Sequence, residues 1–80
     1  EFENRLEIFP NPVNDKLFIN GVAAIEEINI YNITGVKVYH EKGRMNNDKY
    51  AIDVNNLQSG MYIIDVKTTN GNIVKRFTKE

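Results

Sequence analysis

Cysteine is absent from the 80 residues, which removes disulfides, thiolate nucleophiles and thiolate metal sites together and leaves the redox compartment open. No apolar run is much longer than 61–64, whereas a membrane helix needs roughly twenty apolar residues. No basic-then-apolar leader is visible. Glu1-Phe2 reads as a cloning remnant or as a cut from a longer chain, so the sequence is taken as a piece of a larger protein. Charge of one sign is also missing. Ten basic and eleven acidic side chains leave a net charge of -1, and the one basic cluster, Lys75, Arg76 and Lys79, is too small a field for a polyphosphate. Nucleic acid is therefore not an expected partner.

Reactive side chains are equally sparse. His40 is the single histidine and Ser59 the single serine. Without a second imidazole or a cysteine, His40 could enter a metal site only through carboxylates, and it reads as a surface or edge residue on the fourth strand, beside Glu41 and Lys42. Ser59 has no GxSxG context and no neighbouring base, so nucleophilic catalysis lacks its machinery. Asp53 and Asp65 are expected on neighbouring strands, both facing solvent rather than forming a general acid and base. Asn11, Asn14 and Asp15 suit a turn and lack the carboxylate spacing of a calcium loop. Asn32-Ile33-Thr34 fits a glycosylation sequon, meaningful only in a cell with the enzyme for it. The chain is not expected to be an enzyme, and no cofactor or metal is expected.

What remains is a globular balance, 41% hydrophobic against 26% charged, enough for one small domain that buries about 60% of its unfolded surface. Apolar residues alternate with polar ones in short bursts bounded by Asn, Gly, Asp and Pro, the period-2 pattern of half-buried strands. Seven bursts occur, at 6–9, 16–20, 26–32, 36–41, 49–54, 61–68 and 73–79. One face of each is apolar: Ile28 with Ile30, Val36 with Val38, Tyr50 with Ile52 and Val54, Tyr62 with Ile64 and Val66, Ile73 with Lys75 and Phe77. Two sheets stacked about 10 Å apart would bury all these faces.

Tight hairpins are expected at Asn32-Ile33-Thr34-Gly35 and at Thr69-Asn70-Gly71-Asn72, the second as a type I′ turn on Asn70-Gly71. Pro10 and Pro12 separate the first strand from the second. The alternation lapses over 54–60, where Leu57 tucks under a loop that crosses between sheets. The fold class is all-β, a seven-stranded antiparallel immunoglobulin-like β-sandwich, without the cysteine and tryptophan of antibody-type domains.

Three stretches taken together carry a resemblance: Phe9-Pro10-Asn11-Pro12 with Leu17; Ile30-Tyr31-Asn32-Ile33-Thr34-Gly35-Val36-Lys37-Val38; and Leu57-Gln58-Ser59-Gly60-Met61-Tyr62-Ile63-Ile64. With the closing Lys75-Arg76-Phe77-Thr78-Lys79, they resemble the C-terminal sorting domains of cargo proteins of the type IX (Por) secretion system of Bacteroidetes. The order and spacing match from Phe9 to Lys79.

The resemblance implies a sorting domain over 9–80, its first strand beginning near residue 6, with 1–8 as lead-in. It implies an N-terminal cargo protein exported through an ordinary signal peptide. The cargo then passes from the periplasm across the outer membrane through the type IX translocon to the cell surface or the medium, with no direct membrane insertion by the domain. A surface sortase, a cysteine-protease relative, then removes the domain and joins the cargo to an anionic lipopolysaccharide. The last hairpin is the expected recognised surface, with Gly60, Tyr62, Gly71, Lys75, Arg76, Phe77 and Lys79 as candidate residues. Gly60, Gly71, Tyr62 and Phe77 read first as turn and core residues, whereas the basic cluster reads equally as a recognition feature and as edge protection.

Two further expectations stand beside this one. A free edge strand could pair or swap between two copies to form a homodimer. An accessory module binding carbohydrate or protein is the alternative function, but a sugar platform needs exposed aromatics, and only Phe18, Tyr31 and Tyr39 fall on expected outer faces.

Overall fold

The computed structural model describes residues 6–21, 24–45 and 49–80; residues 1–5 of the expected lead-in 1–8, with Glu1 and Phe2, lie outside them. Seven strands follow in order: β1 (Leu6–Phe9), β2 (Lys16–Gly21), β3 (Ile25–Asn32), β4 (Lys37–Met45), β5 (Lys49–Asp53), β6 (Gly60–Thr68) and β7 (Gly71–Lys79). They form a three-stranded sheet in the order β1-β2-β5 and a four-stranded sheet in the order β4-β3-β6-β7. All strand pairs are antiparallel. The expected immunoglobulin-like sandwich is therefore present, with β1, β2 and β5 on one side and β4, β3, β6 and β7 on the other, the chain crossing to the smaller sheet at β5 and back at β6.

The sandwich forms because one face of each sheet is aliphatic. Leu17, Ile19 and Ile52 from the smaller sheet and Ile28, Ile30, Ile64 and Val66 from the larger are almost wholly buried. Each such side chain contributes about 1.5–3 kcal/mol on leaving water. Leu6, Val13, Ile25, Val54, Tyr62 and Phe77 complete the same cluster, and Leu57, Tyr50 and Ile73 pack on its rim. Segment 54–60 leads from β5 into β6, so it crosses between sheets as expected. It is held by Leu57 N–H donating to Val54 C=O at 3.0 Å and by Asn55 N–H donating to Asp53 Oδ1 at 2.9 Å.

Four local expectations are corrected. Val36 and Val38 are 56% and 37% exposed, while Tyr39, expected outside, packs against the core. For Val38 and Tyr39 the cause is an irregularity in the β3–β4 register between Ile30 and Tyr31, which sets Tyr39 rather than Val38 opposite Ile30 and so exchanges the faces expected for β4; Val36 lies in the turn ahead of the strand. Lys75 lies on the inner side opposite Ile64, yet it is exposed because β7 is an edge.

The final hairpin turns one residue earlier than expected. Thr68 pairs with Gly71, no non-glycine residue described has positive φ, and Gly71 takes φ +124°. This pattern is a turn on Thr69-Asn70 followed by a left-handed glycine, not a type I′ turn on Asn70-Gly71. Thr68 Oγ1 stabilises it by donating to Gly71 C=O at 2.8 Å and accepting from Asn70 N–H at 3.1 Å. Finally, Asp53 and Asp65 sit on different sheets, so they are not neighbours.

Candidate recognition surface

The segments that carry the resemblance converge on one pole of the sandwich. Val13 forms a parallel bridge with Lys79. Its N–H donates to Thr78 C=O and its C=O accepts from Glu80 N–H, both at 2.8 Å. Asn11 Oδ1 accepts from Thr78 N–H at 2.9 Å. The 11–13 segment thus lies along the outer edge of the last residues of β7. On the other side, Gly60 pairs with Lys79 and Tyr62 with Phe77, while Asn32 pairs with Tyr62 from β3.

Two side chains clasp the crossing loop to this pole. The Tyr62 hydroxyl donates to Gln58 C=O at 2.7 Å, and the Tyr62 ring stacks on Phe77 with centroids 5.5 Å apart. Lys79 Nζ donates to Leu57 C=O at 3.1 Å and to Glu80 C=O at 3.3 Å. Asn32 organises the adjoining turn. Its Oδ1 accepts from Thr34 N–H, Val36 N–H and Thr34 Oγ1 at 3.0, 3.0 and 2.8 Å. Between this turn and Gln58-Ser59-Gly60 lies a small cleft of about 170 Å³, flanked by exposed Ile33 and Met61.

The candidate residues separate accordingly. Gly60, Tyr62, Phe77 and Lys79 are at the pole, with Tyr62, Phe77 and Lys79 only 6%, 1% and 7% exposed. Gly60 has open space where a Cβ would stand, but its φ of +150° is one that L side chains rarely adopt, so backbone conformation requires glycine there. Gly71 lies at the far end of the hairpin, about 26 Å away at ~3.3 Å per residue. Of the three cations, Lys75 and Arg76 are exposed and Lys79 is not. Asn11, which reaches the last strand across 67 positions of sequence, was expected only as a turn residue; no local pattern signals a contact of that range.

A second surface lies outside the smaller sheet. Phe9 and Phe18 pair across β1 and β2, 39% and 37% exposed, and their rings stack at 5.8 Å. Beside Phe18 an open groove of about 460 Å³ runs past Pro10, Pro12, Asn14, Asp15 and Lys16. Each phenylalanine turns a ring face to the other, which leaves little flat area for a sugar to stack on.

Outside the larger sheet the chemistry is polar. His40 Nε2 lies 3.0 Å from Glu27 Oε2, which also accepts from Asn29 Nδ2 at 3.3 Å. The Asn29 bond, with His40 and Lys67 assisting, holds the Glu27 carboxyl below its usual value against some desolvation. Among the described residues, no group of three His, Cys, Asp or Glu side chains is placed to hold a metal ion. Asn29 and Asp65 are direct cross-strand partners, and the Oδ1 atom of each is buried without a hydrogen-bond partner. Two facing acceptors without a donor between them predict that Asp65→Asn, which supplies an N–H, stabilises the domain by about 1 kcal/mol. In a thermal melt that corresponds to a rise of roughly 4–8 °C; a fall would show that the carboxylate has a donor of its own.

On the inner rim, the Tyr39 hydroxyl donates to Glu41 Oε1 at 2.7 Å. That bond, with a second from Tyr50, holds the Glu41 carboxyl below its usual 4.5 despite partial burial. Burial, with the neighbouring carboxylate, pushes the Tyr39 phenol up. A carboxyl lowered on folding contributes stability above its unfolded value and loses it as pH falls through the folded one. Tyr39→Phe is therefore expected to destabilise the domain at neutral pH, and the deficit to shrink once pH drops below 4.5. Urea midpoints of the two proteins measured across that range test it, and a pH-independent deficit would exclude the carboxylate as its source.

None of the curated proteins compared matches the chain. One family description, secretion system C-terminal sorting domain, matches residues 7–80, a span that takes in the Pro-rich segment, the Asn32 turn, the crossing loop and the last hairpin. The chain belongs to the C-terminal sorting domains of the type IX secretion system.

Proposed function

We propose that this domain is a removable address label: it carries an N-terminal cargo protein through the type IX translocon and is then cut away by a surface sortase. That a type IX sorting domain serves export across the outer membrane follows from the family. Removal by a sortase, attachment of the cargo to a surface lipid, and the hairpin as the recognised surface are the finer steps of this reading. The observation that carries it is the family match over 7–80. The closed sandwich core supports it, because a domain with its own core offers the same surface whatever cargo precedes it.

The test is a periplasmic fluorescent reporter fused ahead of residues 1–80 in a bacterium with the type IX system. It is compared with the reporter alone and with the same fusion in a strain whose translocon is deleted. Surface or medium fluorescence is expected only for the fusion in the intact strain, and the surface-bound reporter should have lost the domain by mass. Periplasmic retention in every strain would reject export. Export with the domain still attached would reject removal. Deleting 75–80 alone is a poor comparison, because it strips Phe77 and Lys79 from the buried interior and unfolds what it is meant to probe.

A further inference from the structure

The bonds at the pole fix which backbone groups of β7 face away from β6. Thr78 directs its N–H to Asn11 and its C=O to Val13, and neither partner belongs to β6. In an antiparallel pair the two groups of a residue point to the same side, and that side alternates along the strand. Asn72, Val74 and Arg76 therefore present N–H and C=O outward, while Ile73, Lys75 and Phe77 bond to β6. β7 is the last strand of its sheet, and the 11–13 segment covers that edge only around Thr78 and Glu80.

An open edge is ordinarily blunted by charge, proline, a bulge or a covering segment, and an apolar side chain on it invites pairing. Here the pole end is covered and the β6–β7 register runs without a bulge. The uncovered end carries Val74 at 64% exposure, with exposed Lys75 and Arg76 beside it on opposite faces.

We propose that the β7 edge from Asn72 to Arg76 docks an extended, acidic segment of a partner protein, added as a fifth strand to the four-stranded sheet. The proposal rests on the reading of the domain as one recognised during export and identifies where on it the partner binds. Backbone groups of Asn72, Val74 and Arg76 supply the ladder bonds, and acidic side chains on either face of the incoming strand meet Lys75 and Arg76. A second copy is the poorer occupant, because two antiparallel β7 edges would bring both pairs of cations onto one short seam.

Because the Val74 N–H faces away from β6, Val74→Pro removes an outward donor and obstructs an incoming strand while sparing the β6 ladder. Lys75→Glu with Arg76→Glu reverses the charge at two exposed positions. Both variants, fused to the reporter, are assayed for export and for cooperative thermal unfolding. Each is expected to remain folded and to lower export by about tenfold or more, the loss of two or more hydrogen bonds or of a charged pair. If Val74→Pro does not fold, the charge-reversed variant decides. Folded variants exported as well as the parent overturn the proposal. So does a parental dimer in light scattering that Val74→Pro dissolves without loss of export, since the edge then serves a second copy. Failure of the parent fusion itself to leave the periplasm rejects the export reading, and the docking proposal with it.

Discussion

Replacing Phe77 by alanine is expected to lower unfolding free energy by about 3–5 kcal/mol, the range for truncating a buried phenylalanine. The ring is 1% exposed, stacked on Tyr62, and placed where the two sheets and the crossing loop meet. A domain of this size has a total stability of roughly 4–12 kcal/mol, at about 0.05–0.15 per residue. One truncation therefore removes a large fraction of it. Urea unfolding at 25 °C measures the loss, and Phe77→Leu, which keeps most of the volume, should recover more than half of it. A loss under about 1 kcal/mol would mean that the site collapses around the missing ring or that Phe77 is not a core residue. In the reporter fusion Phe77→Ala should also abolish export, though through unfolding; for this reason it does not test recognition.

Phe77 and the rest of the aliphatic interior were legible because they obey a two-residue period within one strand, and burial follows that period where one face of the strand is covered by the opposite sheet. The period failed at β4. The Val36-Lys37-Val38-Tyr39 run alternates cleanly, but the irregularity after Ile30 shifts the strand beyond Val38 by one residue, and nothing in the composition of that run marks the shift. The final turn was displaced for a similar reason. Asn70-Gly71 is the strongest two-residue turn signal in the chain, yet the Thr68 hydroxyl closes the hairpin around Thr69-Asn70 instead, a side-chain bond that outweighs the local preference of the pair.

The pole was the least legible part geometrically, although its motifs were visible one by one. Asn11, Val13, Leu57 and Lys79 come together from segments far apart in sequence, and periodicity speaks only of neighbours along a strand. Resemblance to a family grouped these segments; it did not say that a proline-rich loop caps the edge of the last strand. That capping divides the edge of β7 into a closed end and an open one, and it separates residues that look alike on paper.

Lys75 and Lys79 show the difference most sharply, and their substitution is expected to give opposite results. Lys75→Ala, at an exposed edge position, should change stability by no more than about 0.5 kcal/mol. Lys79→Ala should cost roughly 2–3 kcal/mol, because it removes the donor to Leu57 C=O and the apolar stem of a side chain that is buried. Lys79→Met separates the two contributions. It keeps a stem of similar length, relieves the desolvation of a buried ammonium and leaves the Leu57 carbonyl without its donor, so it should recover about half of the alanine loss. Recovery of the whole loss would show that the stem alone matters; no recovery would show that the hydrogen bond does. Equal losses at positions 75 and 79 would mean that the buried clasp does not form in solution. If the clasp holds, export failures after Lys79 substitution report an unfastened crossing loop rather than a lost surface charge. The cationic part of the proposed recognition then narrows to Lys75 and Arg76, the two basic side chains that the last strand presents to solvent.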